Sequence, residues 1–198
     1  MAEITTTQNN KRIGLILLIT GVVGWLASGW LVLERLALYA DPNHVASCDM
    51  NPFISCTSVM KTAQASLLGF PNPLIGVAAF AVLITTAVIL LTGAKLPRWY
   101  WLGLQGGVTA GFALVMWFFS QSVFVIGALC PYCMIVWSMM IPLFILLTGY
   151  NIEHGNLFPK SRIGFVKTYL EWQWIFIILI YIGIIASIFF RFINYWVR

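Results

Sequence analysis

Cysteine spacing is the feature of this chain that most clearly points to chemistry. Cys130 and Cys133 stand three residues apart in Leu129-Cys130-Pro131-Tyr132-Cys133, and Cys48 and Cys56 bracket residues 49–55. If Pro131 is the first helical residue, Cys130 is the N-cap, and one turn brings both sulfurs to the same face within disulfide reach. A thiol at a helix N-terminus can have a lowered pKa, which favours the thiolate that attacks disulfides. Two other readings compete. Free cysteines are common in apolar interiors as small inert residues, and four thiols can bind zinc or copper(I). Against a metal, the Cys48–Cys56 gap is wider than the spacing of structural zinc ligands. His44 is the histidine nearest to any of the four cysteines, and His154 falls beyond the opposite end of a span. The expectation is redox chemistry and no metal.

The elements that must position these thiols are membrane helices. The chain has 198 residues, 61% hydrophobic and 9% charged, where a soluble domain averages about 25% charged. Its charge of +5 comes from scattered basic residues beside apolar segments, the pattern of topology signals rather than of a nucleic-acid surface. Five stretches are long enough to span: 13–33, 73–91, 99–121, 130–147 and 174–197. The first exceeds the apolar length of a signal peptide and is expected to be retained. Trp99-Tyr100-Trp101, Trp172 with Trp174, and Tyr195-Trp196 flank spans as interfacial belts. Met134, Met139 and Met140 read as packing.

Basic residues orient the spans. Lys11, Arg12, Lys95, Arg98, Lys160, Arg162 and Lys167 fall on one side, and Arg35, Lys61, Arg191 and Arg198 on the other. The positive-inside rule then predicts a cytoplasmic N-terminus, and the expected location is the plasma membrane. All four cysteines lie on the extracytoplasmic side, where disulfides persist. The external connection 34–72 is long for a structureless loop. Asp41-Pro42-Asn43 and Asn51-Pro52 signal turns. Residues 57–68 lack Pro and Gly and carry apolar residues at helical spacings, so they predict a short helix lying over the helix ends. Asp49 reads as a turn residue. A lone pair such as Cys48 and Cys56 usually staples a loop, but with a second dithiol on the same side the two can pass a disulfide between them.

These motifs together resemble the vitamin K epoxide reductase family. Ser47-Cys48-Asp49 to Ile54-Ser55-Cys56 resembles its loop cysteine pair, Thr62 falls where the family has Ser or Thr, and Pro71-Asn72 to Gly76 resembles its Asn-x-x-x-Gly start of the second helix. Cys130-Pro131-Tyr132-Cys133 matches its CxxC at the start of the fourth. The match spans roughly 13–150, and the fifth span is similar to bacterial members. Trp137 stands where animal members carry a quinone-contacting Tyr; an indole N–H donates a hydrogen bond but accepts none.

The resemblance implies an all-α fold. Residues 1–150 would form a four-helix catalytic bundle around a quinone site, capped by the external loop. Residues 151–198 would add a cytoplasmic connection and a fifth helix. It implies catalytic Cys48, Cys56, Cys130 and Cys133, and quinone contacts from Asn72, Trp137, Thr62 and Gly76. Asn72 also reads as an N-cap before Pro73. Electrons would pass from a separate thioredoxin-like partner, through Cys48–Cys56 and Cys130–Cys133, to menaquinone or ubiquinone. A non-enzymatic thiol metal-binding protein is the alternative.

Overall fold

The computed structural model describes residues 2–157 and 163–193. It contains five helices long and apolar enough to cross a membrane, Asn10–Ala40, Pro73–Leu91, Arg98–Ile126, Pro131–Glu153 and Val166–Arg191. They belong to α1 (Ala2–Ala40), α3 (Pro73–Leu91), α4 (Arg98–Ser120), α5 (Pro131–Glu153) and α6 (Ile163–Arg191), with a short α2 (Cys56–Met60) between α1 and α3. Of the basic residues that orient the chain, Lys160, Arg162 and Arg198 lie outside the described residues, as does Tyr195-Trp196.

α1 packs most extensively on α3, then on α5; α4 and α6 pack on α5. The α1–α3 seam is close because small residues line it. Phe80 lies over Gly24, and Gly76 faces Ser28 so tightly that a Cβ there would collide with the Ser28 hydroxyl. Small residues at such crossings let helices approach where lipid supplies no hydrophobic drive. The core runs through Leu17, Leu83, Leu90, Leu143 and Leu147. Polar groups inside it are satisfied internally, as a bilayer requires. Gln105 donates to Thr148 Oγ1 at 2.9 Å and accepts from Asn151 Nδ2 at 3.0 Å, while Thr86 and Tyr100 hydroxyls meet at 2.6 Å. α6 lies outside the first four long helices, held on α5 by Tyr181 OH to Ser138 O (2.6 Å) and Tyr169 OH to Ile145 O (3.1 Å). At its far end Arg191 Nε donates to Val123 O at 3.2 Å.

The third and fourth spans run on past their expected ends, to Ile126 and Glu153, and three further boundaries differ from the sequence expectation. α1 continues to Ala40, so the connection expected from Glu34 starts at Asp41. No Pro or Gly interrupts 30–40, and the turn that ends the helix is Asp41-Pro42-Asn43, where Asp41 Oδ1 accepts from Asn43 N at 2.9 Å. The helix expected over 57–68 is broken into α2 and a 3-10 turn, Ala63–Ser66. Thr62 is extended, and its hydroxyl donates to Val59 O at 2.7 Å, while Arg35 Nη1 takes Met60 O. Those carbonyls are thereby bonded to side chains, which lets the chain leave the helical path. α6 begins well before Trp174, carried by a polar first stretch in which Lys167 and Glu171 pair at i,i+4. The expected end of the fifth span at Val197 lies outside the described residues.

Candidate functional site

Pro131 is the first residue of α5, and Cys130 is its extended N-cap (φ −105°, ψ 119°). The loop pair reaches it through backbone pairing. Leu129 N donates to Phe53 O at 2.7 Å, and Ser55 N donates to Leu129 O at 2.9 Å, forming a short parallel bridge. This bridge ends one residue before Cys56 on one strand and one before Cys130 on the other. Ser55 then N-caps α2, its hydroxyl accepting from Ser58 N at 3.0 Å. The result is direct contact: Cys56 Sγ lies 3.1 Å from Cys130 Sγ. Cys48 and Cys56 are joined as a disulfide, and Cys130 and Cys133 are free thiols. Cys56 and Cys130 are fully buried, at 0% and 1% exposure. A hydrogen bond from the Cys133 thiol holds the Cys130 thiol below the ordinary cysteine range, outweighing the desolvation of its site and the repulsion of Asp49.

Two carboxylates hold the loop. Burial pushes the Asp49 carboxyl up, but hydrogen bonds from Thr57 outweigh it and keep the group below its ordinary value; one is Thr57 N to Oδ1 at 3.0 Å. Asp49 is therefore more than a turn residue, because it ties the start of α2 to the chain beside Cys48. Glu34, near the end of α1, accepts from Ser47 N (3.1 Å), Ser47 Oγ (2.5 Å) and Trp30 Nε1 (3.2 Å), and its other oxygen lies 2.9 Å from His44 Nε2. It anchors the segment leading into Cys48. Sequence reasoning missed Glu34; the available signal was an acidic residue directly after an apolar run.

Beneath the cysteines a cavity of about 510 Å³ is lined by residues of α1, α3, α4, α5 and the loop. That size falls within the range of small-molecule sites, roughly 300–1,000 Å³. Cys130, Cys133, Asn72, Thr62, Gly76 and Trp137 all line it. It continues between α3 and α4, which share no extended contact, from Ser122 down to Tyr100, roughly 30 Å along α4 at 1.5 Å per residue. Gly103 and Gly107 line this cleft, and a Cβ on either would meet nothing within 4 Å.

The polar residues are arranged differently from the simple expectation. Asn72 does not cap α3 with its side chain. It clamps the loop instead: Nδ2 donates to Gln64 O at 2.6 Å and Oδ1 accepts from Leu67 N at 3.0 Å. One amide hydrogen of Nδ2 remains over. Thr62 spends its hydroxyl hydrogen on Val59 O. Gly76 provides close approach to α1 as well as cavity wall. Trp137 is 3% exposed, with its ring edge-on to Phe119 at 5.1 Å. Because Cys48 and Cys56 are bonded to each other, the four thiols do not form one ligand set, and the described residues contain no group of three or more His, Cys, Asp or Glu placed to hold an ion.

The vitamin K epoxide reductase family matches over residues 15–148, about two thirds of the chain. The chain belongs to the vitamin K epoxide reductase family. No curated protein matches it. This is a family of thiol–disulfide oxidoreductases that use quinones, and the matched region holds both cysteine pairs and all or most of the first four long apolar helices.

Proposed function

We propose that the protein is a quinone-dependent thiol–disulfide oxidoreductase that reoxidises a separate thioredoxin-like partner on the extracytoplasmic face of the plasma membrane. The observation that carries this reading is the 3.1 Å approach of Cys56 to Cys130, with Cys133 on the wall of an apolar cavity.

Electrons enter at the loop pair. A partner dithiol attacks the Cys48–Cys56 disulfide at Cys48, and the partner's second thiol resolves the mixed disulfide. The partner leaves oxidised, and Cys48 and Cys56 are left as thiols. Cys56 then attacks Cys130 of a Cys130–Cys133 disulfide, which releases the Cys133 thiolate. Cys48 attacks Cys56 and frees Cys130. That product, with the loop pair bonded and the CxxC reduced, is the state described above. Each of these exchanges proceeds through an attacking thiolate.

The cavity suits a lipid-soluble quinone: apolar walls, a few polar groups at the cysteine end, and a glycine-lined cleft for an apolar tail. When bound, a quinone supplies the two-electron acceptor. Cys130 and Cys133 give up two electrons and two protons and close their disulfide. The remaining Asn72 amide hydrogen and the Trp137 indole N–H would be the donors to a quinone oxygen on which charge develops, and such donors lower the barrier. Lacking acceptor capacity, Trp137 favours a carbonyl oxygen over a hydroxyl.

The test is anaerobic turnover of the purified chain with a reduced thioredoxin-like donor and menaquinone or ubiquinone. One quinol should form per donor disulfide, and Cys56→Ser or Cys133→Ser should abolish it. Absence of turnover with both quinones, from folded protein carrying the Cys48–Cys56 disulfide, would overturn the reading.

A further inference from the structure

The bundle end opposite the cysteines holds a second cavity, of about 220 Å³. Its wall includes Asn10 of α1, Lys95 of the α3–α4 connection, Trp101 of α4, and Tyr150, His154 and Asn156 at the close of α5. The hydrogen bonds already made there leave several donors unused, on Asn10, Trp101 and Lys95, beside a few acceptors. Asn10 Oδ1 accepts from Tyr150 OH at 2.6 Å, leaving its amide hydrogens. His154 Nδ1 donates to Tyr150 O at 2.9 Å, and the imidazole stacks on the Tyr150 ring at 4.0 Å, so Nε2 of the neutral ring is an acceptor with no partner among the described residues, suited to a hydroxyl of the occupant. Trp101 is 4% exposed, yet no described residue accepts its indole N–H. Lys95 has no ion pair among the described residues. Asn156 Nδ2 donates to Asn151 Oδ1 at 2.9 Å, and its backbone carbonyl accepts from Arg98 Nε at 3.0 Å, which holds a second cation beside this wall residue.

A concave site with several unused donors, an exposed lysine and no carboxylate among its described wall residues fits an anion with several oxygens. We propose that this cavity binds a phosphate group, carried by an anionic phospholipid headgroup or present as the free ion. The site lies where the apolar helices end, the level at which basic pockets between helices meet headgroups. Its volume corresponds to roughly seven water molecules, room for a phosphate and part of a glycerol. An occupant would touch α1, α4 and α5 together and so fasten the bundle at the end remote from the cysteines. The inference is independent of the reaction proposed above.

The full chain in detergent, titrated with dihexanoylphosphatidylglycerol and separately with dihexanoylglycerol, tests this by native mass spectrometry. The phosphatidylglycerol should bind one to one and the phosphate-free lipid should not. Lys95→Gln and Trp101→Phe should each weaken binding by at least about tenfold. Lys95 is exposed, so Lys95→Gln should retain wild-type melting; Trp101→Phe trims a buried indole and should lower melting while the protein stays folded. Inorganic phosphate that displaces the lipid at equal concentration identifies the free ion as a ligand; phosphate that fails to displace it identifies the headgroup. Binding untouched by both substitutions, equal retention of dihexanoylglycerol, or no binding of either phosphate source overturns the proposal.

Discussion

Glu34→Ala removes the anchor of the segment that enters Cys48. The carboxylate is 7% exposed and is met by Ser47 N, Ser47 Oγ, His44 Nε2 and Trp30 Nε1 at 2.5–3.2 Å. A hydrogen bond to a charged group contributes about 1.5–3 kcal/mol. Trp30 is 47% exposed and the His44 side chain 34% exposed, so water replaces those two bonds at little cost. The two Ser47 bonds therefore decide the magnitude, at about 3 kcal/mol from the lower figure. That corresponds to a local opening constant raised roughly a hundredfold. Hydrogen exchange read by mass spectrometry should show this in a peptide covering 41–48, which contains the Ser47 amide. A peptide covering 52–56 should change far less, because the Leu129 bridge holds it independently. Glu34→Gln keeps the shape and one acceptor oxygen, and should give about a tenfold increase. Unchanged exchange over 41–48 in Glu34→Ala would refute the assignment of Glu34 as the anchor.

Gly107→Phe fills the α3–α4 cleft, so KM for a long-tailed quinone should rise about tenfold or more, while a tail-less analogue keeps its kcat. Gly107→Ala meets no neighbour and should stabilise the protein by about 0.8–1 kcal/mol through helix propensity, read in thermal melts. Gly76→Ala forces α3 off Ser28 and should cost about 1–3 kcal/mol by the same measurement. Asp49 is held below its ordinary pKa, so its contribution is present above the unfolded value, about 3.9, and is lost as pH falls through the lower folded value. The melting difference between wild type and Asp49→Ala should therefore be constant near neutrality and shrink below about pH 4; a difference that grows with acid contradicts this sign.

The frame of the site was legible because it depends on local pattern. Apolar runs without charge predict the long helices, and Pro131 directly after Cys130 predicts the N-cap that the structure has. What escaped depends on partners distant in sequence. Nothing near Leu129 announces that it pairs with Phe53 and Ser55, although this bridge sets Cys56 against Cys130. Helical spacing over 57–68 predicted a continuous helix, but Thr62 and Arg35 take the carbonyls that would have continued it. Glu34 read as loop because charge usually ends a span, yet it sits on α1 with its carboxylate satisfied by residues 44 and 47. Asn72 read as a cap because it precedes a proline, whereas its amide bonds a loop carbonyl eight residues back in the chain.

The central claim is that disulfide passes between the two pairs at the Cys56–Cys130 contact. The direct measurement uses the Cys48→Ser/Cys133→Ser double variant, in which neither resolving thiol remains. Mild oxidation followed by non-reducing peptide mass spectrometry should find Cys56 joined to Cys130 within one chain, in nearly all of the protein. Recovery of both thiols free, or joined only between chains, while the variant keeps its fold, would contradict the account.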